Sequence, residues 1–173
     1  MPIVPETKSW TWVLDKPCPE CGFDASTTDA REVAELARLN ADAWPAVLRR
    51  ADVRERPDGD TWSPLEYAAH VRDVFTVMRG RLELMLVEND PLFANWDQDA
   101  TAVEERYNEQ DPALVSTQLI EAGHAIADAF DAVPSDAWGR SGRRGDGASF
   151  SVETLAQYFI HDPVHHLHDV SKG

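Results

Sequence analysis

The chain has 173 residues, enough for one domain with a core of its own. Hydrophobic residues make up 43% and charged residues 27%, the mixture of a globular protein and not of a disordered one. The 16 Lys and Arg against 31 Asp and Glu give a net charge of −15, which disfavours contact with nucleic acids and with anionic membranes.

Location signals are absent from the sequence. No apolar run approaches the roughly 18–20 residues that a membrane span needs. The first eight residues lack the basic-then-apolar order of a signal peptide, and two cysteines are too few for a disulfide framework. We therefore expect a cytoplasmic protein.

The chain opens with a segment that has no helical period. Residues 1–28 hold four of the 11 prolines, so we predict an extended leader, followed by one helical domain over residues 29–173. Asp29, with Glu32 three residues later, has the form of a capping box for the first helix. Its apolar positions recur at helical spacing, with Asn40 as the exception.

The second helix has the clearest start. Ser63 is suited to the N-cap, Pro64 to the first helical position and Glu66 to the third position of a capping box. We predict that this helix runs to about Val87. The polar segment from Asn89 to Gln110 then predicts a long crossover, with a short helix around residues 102–107.

Two more helices follow the crossover. Asp111-Pro112 opens the third by the same cap-then-proline pattern, and Pro134 ends it. Residues 138–149 are rich in Gly, Arg and Ser, which predicts a surface loop or a small hairpin. Ser149 or Ser151 can cap a last helix that runs to about Val170. Four helices with apolar stripes predict an all-α, four-helix bundle.

Histidines are concentrated in the last helix. His161 and His165 are four residues apart, so they share a helix face and can bind one ion, whereas His166 is rotated away. His70 lies in an apolar stretch of the second helix and is the natural third ligand. Three imidazoles suit zinc, nickel, copper or iron and leave a position open for water or substrate. The alternatives are surface or hydrogen-bonded histidines, and Pro163 is expected to kink the helix between the pair.

Two motifs together resemble the DinB-like superfamily over about residues 29–170. The segment Trp-Ser-Pro-Leu-Glu-Tyr-Ala-Ala-His at 62–70 resembles its Trp-x-x-x-Glu-x-x-x-His pattern, and His-x-x-x-His at 161 and 165 resembles its second signature. The resemblance implies an up-down four-helix bundle with a long crossover between the second and third helices. It also implies a divalent metal, zinc or nickel, bound by three histidines: His70, His161 and His165.

The same resemblance implies an activity. Family members with a known activity are thiol S-transferases that use bacillithiol, mycothiol or glutathione, and a mycothiol-dependent maleylpyruvate isomerase. The composition resembles that of an actinobacterial subgroup, for which mycothiol is the expected thiol. The expected partners are a small-molecule thiol and an electrophile, and a homodimer is open. The alternative is a non-catalytic, metal-stabilised binding or dimerisation module.

Further residues are candidates for the site. Arg140, Arg143 and Arg144 are the one basic spot of an acidic chain, so they either hold an anionic group of the thiol or substrate or form a solvated loop. Asp73 and Asp169 are candidates for orienting the ligand imidazoles.

The pair Cys18 and Cys21 is not explained by the family pattern. Cys-x-x-Cys is half of a zinc ribbon or a redox pair. Without a second cysteine pair, a four-cysteine zinc site within the chain is excluded. A mixed site of two cysteines and two histidines, for example with His124 or His166, stays open. So do two reduced cysteines in a proline-rich turn, and a leader that folds over the bundle and brings a thiol to the metal.

Overall fold

The computed structural model describes residues 10–172. Four long helices form the bundle and a short one lies in the crossover: α1 (Val33–Leu48), α2 (Pro64–Val87), α3 (Gln98–Glu104), α4 (Pro112–Asp131) and α5 (Val152–Val170). Two short antiparallel strands, β1 (Ser141–Arg143) and β2 (Ser149–Ser151), form a hairpin before α5. The predicted all-α bundle with its long crossover is confirmed.

Side-chain contacts fix the directions of the helices. α1 and α5 run in the same direction, because Asn40 donates to the Pro163 carbonyl and Arg50, just after α1, donates to the Val170 carbonyl at the end of α5. α1 packs against α4 and α5, and α2 packs against the same two helices, whereas α1 and α2 have few contacts with each other. The bundle therefore places α1 and α2 on one diagonal.

The crossover makes α2 and α4 parallel neighbours. Arg72 donates to Gln118, and one turn further along both helices Phe75 packs at Gly123. A Cβ at Gly123 would lie 2.5 Å from the Ala41 Cβ and 3.0 Å from the Phe75 ring, so glycine is what allows α1, α2 and α4 to approach closely here. α2 runs antiparallel to α5, as two contacts show: His70 with Asp162, and Phe75 with Phe159.

The predicted helix starts are confirmed where local capping decides them. Ser63 and Glu66 make a reciprocal capping box for α2, and Ser151 makes one with Thr154 for α5. Asp29 instead caps a single 3-10 turn, and α1 begins at residue 33 without a side-chain cap. The short crossover helix begins at residue 98, earlier than predicted, because the preceding aspartate accepts from two of its N–H groups.

Asn40, the polar exception among the apolar positions of α1, has a structural role. Asn40 is buried, accepts from the Trp44 indole N–H and donates to the Pro163 carbonyl. α5 continues through Pro163, so the helix does not break between its histidines. None of the helices in the described residues is both long enough and apolar enough to cross a membrane.

The described part of the leader, residues 10–28, lies against the bundle. It contains 3-10 turns at Trp10–Leu14 and Ala25–Thr27, and the first of them packs on α5. Val13, Cys18 and Phe23 are buried there. The division into a leader and a bundle domain stays a prediction, and residues 1–9 lie outside the described part.

Candidate metal centres

Two groups of ligand-type side chains lie where α2 begins and α5 approaches its end. Within each group, every residue has a donor atom within 4.8 Å of the others. The open cluster consists of His70, Asp162 and His166. The Cys2His2 cluster consists of Cys18, Cys21, His161 and His165. The histidines predicted as one triad are thus divided between the two clusters, and His70 is not grouped with the other two.

The division follows from helix geometry. Successive residues of an α-helix differ by about 100° around its axis, and residues four apart share a face. The pair His161 and His165 faces the leader. The pair Asp162 and His166 is one residue further along, so it faces His70 on α2. A single helix therefore supplies two ligands to each cluster.

Distances within the open cluster fit a shared ion. Asp162 Oδ1 lies 3.2 Å from His70 Nε2 and 3.5 Å from His166 Nε2. Oxygen and nitrogen ligands of one tetrahedral zinc, each at about 2.0–2.2 Å from the metal, lie about 3.3–3.5 Å apart. Two imidazoles and a carboxylate are also a donor set that zinc, nickel and iron accept. The residues present therefore fit a divalent metal.

Charges around the open cluster keep Asp162 ionised. Burial raises its pKa, but the neighbouring His70 and His166 outweigh this and lower the pKa to about 2. On the other side of the cluster, His166 Nδ1 lies 3.2 Å from Asp169 Oδ2, an interaction that directs Nε2 inward. The cluster thus has an anionic ligand and an oriented imidazole at neutral pH.

Aromatic rings surround the open cluster. Trp96 stacks on His70 with ring centroids 5.8 Å apart, and Trp62 lies at 5.4 Å from the same imidazole. Tyr67 packs on His166 at 4.8 Å, as does Trp10 of the leader at 5.4 Å. Trp96 belongs to the crossover, so this long connection forms part of the wall of the site.

The Cys2His2 cluster joins the leader to α5. Cys18 is buried, and its Sγ lies 3.6 Å from His165 Nδ1. The other nitrogen of that ring, Nε2, lies 3.1 Å from Glu20 and 3.5 Å from Asp169. Both cysteines are free thiols, and burial raises the pKa of Cys21 to about 11.

His161 is fully buried at the centre of the Cys2His2 cluster. Burial and then the neighbouring His165 lower its pKa to about 4, so the ring is neutral at neutral pH. Neither of its nitrogens has a hydrogen-bond partner among the described residues. Trp10 and Phe23 of the leader cover it, with ring centroids 4.9 and 5.5 Å away. Two unpartnered polar atoms in one buried ring are unusual in a folded protein and point to a ligand.

The two aspartates predicted to orient imidazoles differ in position. Asp169 lies next to both clusters, within 3.5 Å of His165 and 3.2 Å of His166. Asp73 accepts from the Tyr107 hydroxyl and from Arg72. The structure therefore places Asp169 beside the ligand-type residues and uses Asp73 to fix the crossover.

The three arginines lie at the other end of the bundle, where α2 ends and α5 begins. Arg140 donates to the carbonyls of residues 85 and 88 at the end of α2. Arg143 pairs with Asp90. Arg144 pairs with Asp146 and donates to the Tyr158 hydroxyl. Through these contacts the three side chains hold the hairpin in place.

Sequence reasoning missed two residues of the open cluster. Asp162 and His166 have the same four-residue spacing as His161 and His165, so the sequence contained a signal for a second pair of ligands on α5. The tryptophans at 10 and 96 carried no such signal, because their place beside the histidines depends on how the leader and the crossover fold back.

Comparisons with known proteins agree with this architecture. A family model described as the DinB superfamily matches residues 34–170. Among solved structures, the chain is similar to YfiT from Bacillus subtilis, described as a probable metal-dependent hydrolase with an unusual four-helix bundle topology. The TM-score is 0.69 at 17% sequence identity, over 83% of this chain and 84% of that chain, which shows a shared fold. No curated protein matches the chain.

Proposed function

The chain belongs to the DinB superfamily, and we propose that it is an enzyme that depends on a divalent metal, zinc or nickel, held by the open cluster. The observation that carries the proposal is the convergence of His70 from α2 with Asp162 and His166 from α5. Three protein ligands leave a coordination position for a small molecule, as in catalytic metal sites, whereas structural sites are closed by four.

A low-molecular-weight thiol such as mycothiol is the proposed co-substrate. A divalent ion supplies one chemical property here, since a coordinated thiol is ionised at neutral pH. The family resemblance supports a thiol, and so do the aromatic walls, because a large sulfur anion loses less hydration than hydroxide on entering an apolar cleft. The proposed reaction is transfer of the thiol sulfur to an electrophile, or a thiol-dependent isomerisation.

The residues around the cluster have separate tasks in this proposal. The Asp169 carboxylate contacts Nδ1 of His166 and orients that imidazole, so that Nε2 of His166 faces the cluster. Trp62 and Trp96 flank His70 and exclude water from that side. Trp96 is held by a hydrogen bond from its indole N–H to Thr101, which fixes the crossover over the site.

A hydrolase is the second candidate. The structural relative YfiT is described as a probable metal-dependent hydrolase, and two imidazoles with a carboxylate also suit activation of water. The two candidates differ in the nucleophile and share the metal ligands.

The test uses protein purified without a His tag and loaded with zinc or nickel. Conjugation of mycothiol to chlorodinitrobenzene is measured beside hydrolysis of p-nitrophenyl acetate, for the wild type and for His70→Ala. His168→Ala is the matched control, because His168 lies on α5 outside both clusters. We expect thiol conjugation to fall to the chelator-treated level in His70→Ala and to stay near wild type in the control, with far-UV circular dichroism unchanged.

Other results would change the assignment. Ester hydrolysis without thiol conjugation, lost in His70→Ala, would identify water as the nucleophile. Metal binding at His70 without either activity would contradict an enzyme that uses these nucleophiles and would favour the metal-stabilised binding or dimerisation module. Bacillithiol and glutathione, assayed in parallel, determine which thiol is preferred.

A further inference from the structure

We infer that Cys18, Cys21, His161 and His165 form a second, structural zinc site that fastens the leader to α5. The two sites differ in their ligand number. Four protein donors close the coordination shell of zinc, so no position remains for a substrate. Two thiols and two imidazoles are also a soft donor set that selects zinc over magnesium and calcium.

The sulfur–nitrogen distance in the cluster fits this assignment. Cys18 Sγ and His165 Nδ1 are 3.6 Å apart. When sulfur at about 2.3 Å and nitrogen at about 2.0–2.1 Å bind one zinc at tetrahedral angles, they lie about 3.6 Å apart. A side chain that supplies a ligand therefore already stands at the separation that the metal would impose.

The outer side of His165 is arranged for metal binding through Nδ1. Its Nε2 faces the carboxylates of Glu20 and Asp169, which can accept only from an N–H at that position. A proton on Nε2 leaves the Nδ1 lone pair directed at Cys18. This carboxylate–imidazole arrangement is the usual support of a histidine that binds zinc.

His161 provides an independent observation. Hydrogen bonding between Cys18 and His165 could by itself explain their distance, but it gives no partner to His161. Both nitrogens of this fully buried ring are unpartnered among the described residues. Zinc bonded to one nitrogen gives this ring the polar interaction that its burial requires.

The turn that carries the cysteines is compact and hydrogen-bonded. The Gly22 N–H donates to the Cys18 carbonyl, and the Cys18 N–H donates to the Phe23 carbonyl. Gly22 has φ +78°, a conformation that glycine adopts without strain. These backbone contacts hold the two cysteines, three residues apart, in one compact turn beside α5.

The proposed site also has an effect on the open cluster. Trp10, at the start of the described leader, contacts His161 and His165 of one cluster and His166 of the other. A leader fastened by zinc keeps this ring as a wall between the two sites. The leader is therefore proposed as part of the metal-loaded bundle and not as a separate tail.

Cobalt substitution tests the proposal on the full chain. Cobalt bound by thiolates gives a strong sulfur-to-metal charge-transfer band in the near ultraviolet. We expect this band in the wild type and in His70→Ala, which retains the Cys2His2 cluster, and its loss in Cys18→Ser/Cys21→Ser. His168→Ala should keep the band at full intensity, as the matched control.

A second measurement uses the wild type alone, so it tests the proposal even when the double variant fails to fold. Metal-loaded protein should react with a thiol reagent at least about tenfold more slowly than the same protein stripped with a chelator, because zinc shields both sulfurs. Equal rates, a missing charge-transfer band in folded wild type, or a reversible Cys18–Cys21 disulfide in the metal-loaded protein would overturn the structural zinc site. Since His70→Ala tests the open cluster alone, the two proposals fail separately.

Discussion

Two adjacent faces of α5 each contribute two ligand-type side chains to a cluster, and the two clusters are completed by different parts of the chain. His161 and His165 meet cysteines of the leader, while Asp162 and His166, one residue further along, meet His70 of α2. The open cluster lies entirely within the residues matched by the family model, and the Cys2His2 cluster takes half of its donors from outside them. One helix thus contributes to a cluster inside the residues that the family model matches and, on the adjacent face, to a cluster that also needs the leader.

The two clusters differ in whether a bound metal would keep a coordination position free for a small molecule. Three donors with aromatic walls leave room for a small molecule, whereas four donors under a folded leader leave none. The two proposals therefore place catalysis on the α2-facing side of α5 and stabilisation of the leader on the leader-facing side.

Asp162→Asn should have the largest effect on catalysis. It removes the anionic donor between His70 and His166, so the chain should lose one metal ion and its activity should fall to the level without metal. Assay and metal analysis check this result. His168→Ala is the control, because His168 lies on α5 outside both clusters; equal losses in the two variants would refute the assignment of Asp162.

Cys18→Ser/Cys21→Ser should have the largest effect on stability. A ligand present at about 1,000 times its Kd stabilises a folded protein by about 4 kcal/mol, so the double variant should lose about this much in buffered zinc. Urea unfolding measures the difference. His70→Ala, which loses the other ion, should keep its thiol-bound ion and its leader docked. A double variant as stable as the wild type in zinc would argue against a structural role.

The helix starts show what could be predicted from the sequence. The Ser63–Glu66 box and the Asp111-Pro112 start depend on residues within one turn, and both were predicted correctly. The docking of Cys18 beside His165 joins residues 147 positions apart, and no local pattern indicates which histidines meet the cysteines.

The site was predictable only in part for a related reason. Four-residue spacing identifies pairs of residues on one helix face, but it does not tell which neighbour that face meets. His161 and His165 are therefore a pair, as the sequence indicated, yet their neighbours are the cysteines and not His70. Knowing the rotation of α5 relative to α2 and the leader requires the packed bundle.

Asp169→Asn should affect both sites at once, because this carboxylate lies beside His165 and His166. Loss of a carboxylate that orients a ligand imidazole usually weakens metal affinity by about 10–100-fold. Competition with a chromophoric chelator should show two weakened sites. Glu20→Gln provides the contrast. Within the described residues Glu20 pairs with His165, and its side chain is 63% exposed, so we expect less than about a fivefold change, at the Cys2His2 site alone. Weakening confined to one site in Asp169→Asn would contradict its shared position.

The smallest effect concerns pH and the metal-free protein. The pKa of His161 is lowered to about 4 in the folded chain, so below about pH 6.5 the unfolded chain binds the extra proton. Stability should be complete above that pH and decrease as the pH falls towards 4, by about 1 kcal/mol between about pH 7 and about pH 5.5. Urea unfolding in chelator measures it, and His161→Gln should flatten this dependence. An unchanged slope in that variant would assign the proton to another group.

Together, the two proposals require that α5 holds two metal ions with different ligands. The direct measurement is metal content together with X-ray absorption at the metal edge, on tag-free wild type and His70→Ala. We predict two divalent ions per wild-type chain, one of them with two sulfur and two nitrogen neighbours. In His70→Ala we predict one ion, with the sulfur neighbours retained. A wild type with a single ion and no sulfur neighbours, or a His70→Ala chain that loses its sulfur-bound ion, would contradict two separate metal sites on α5.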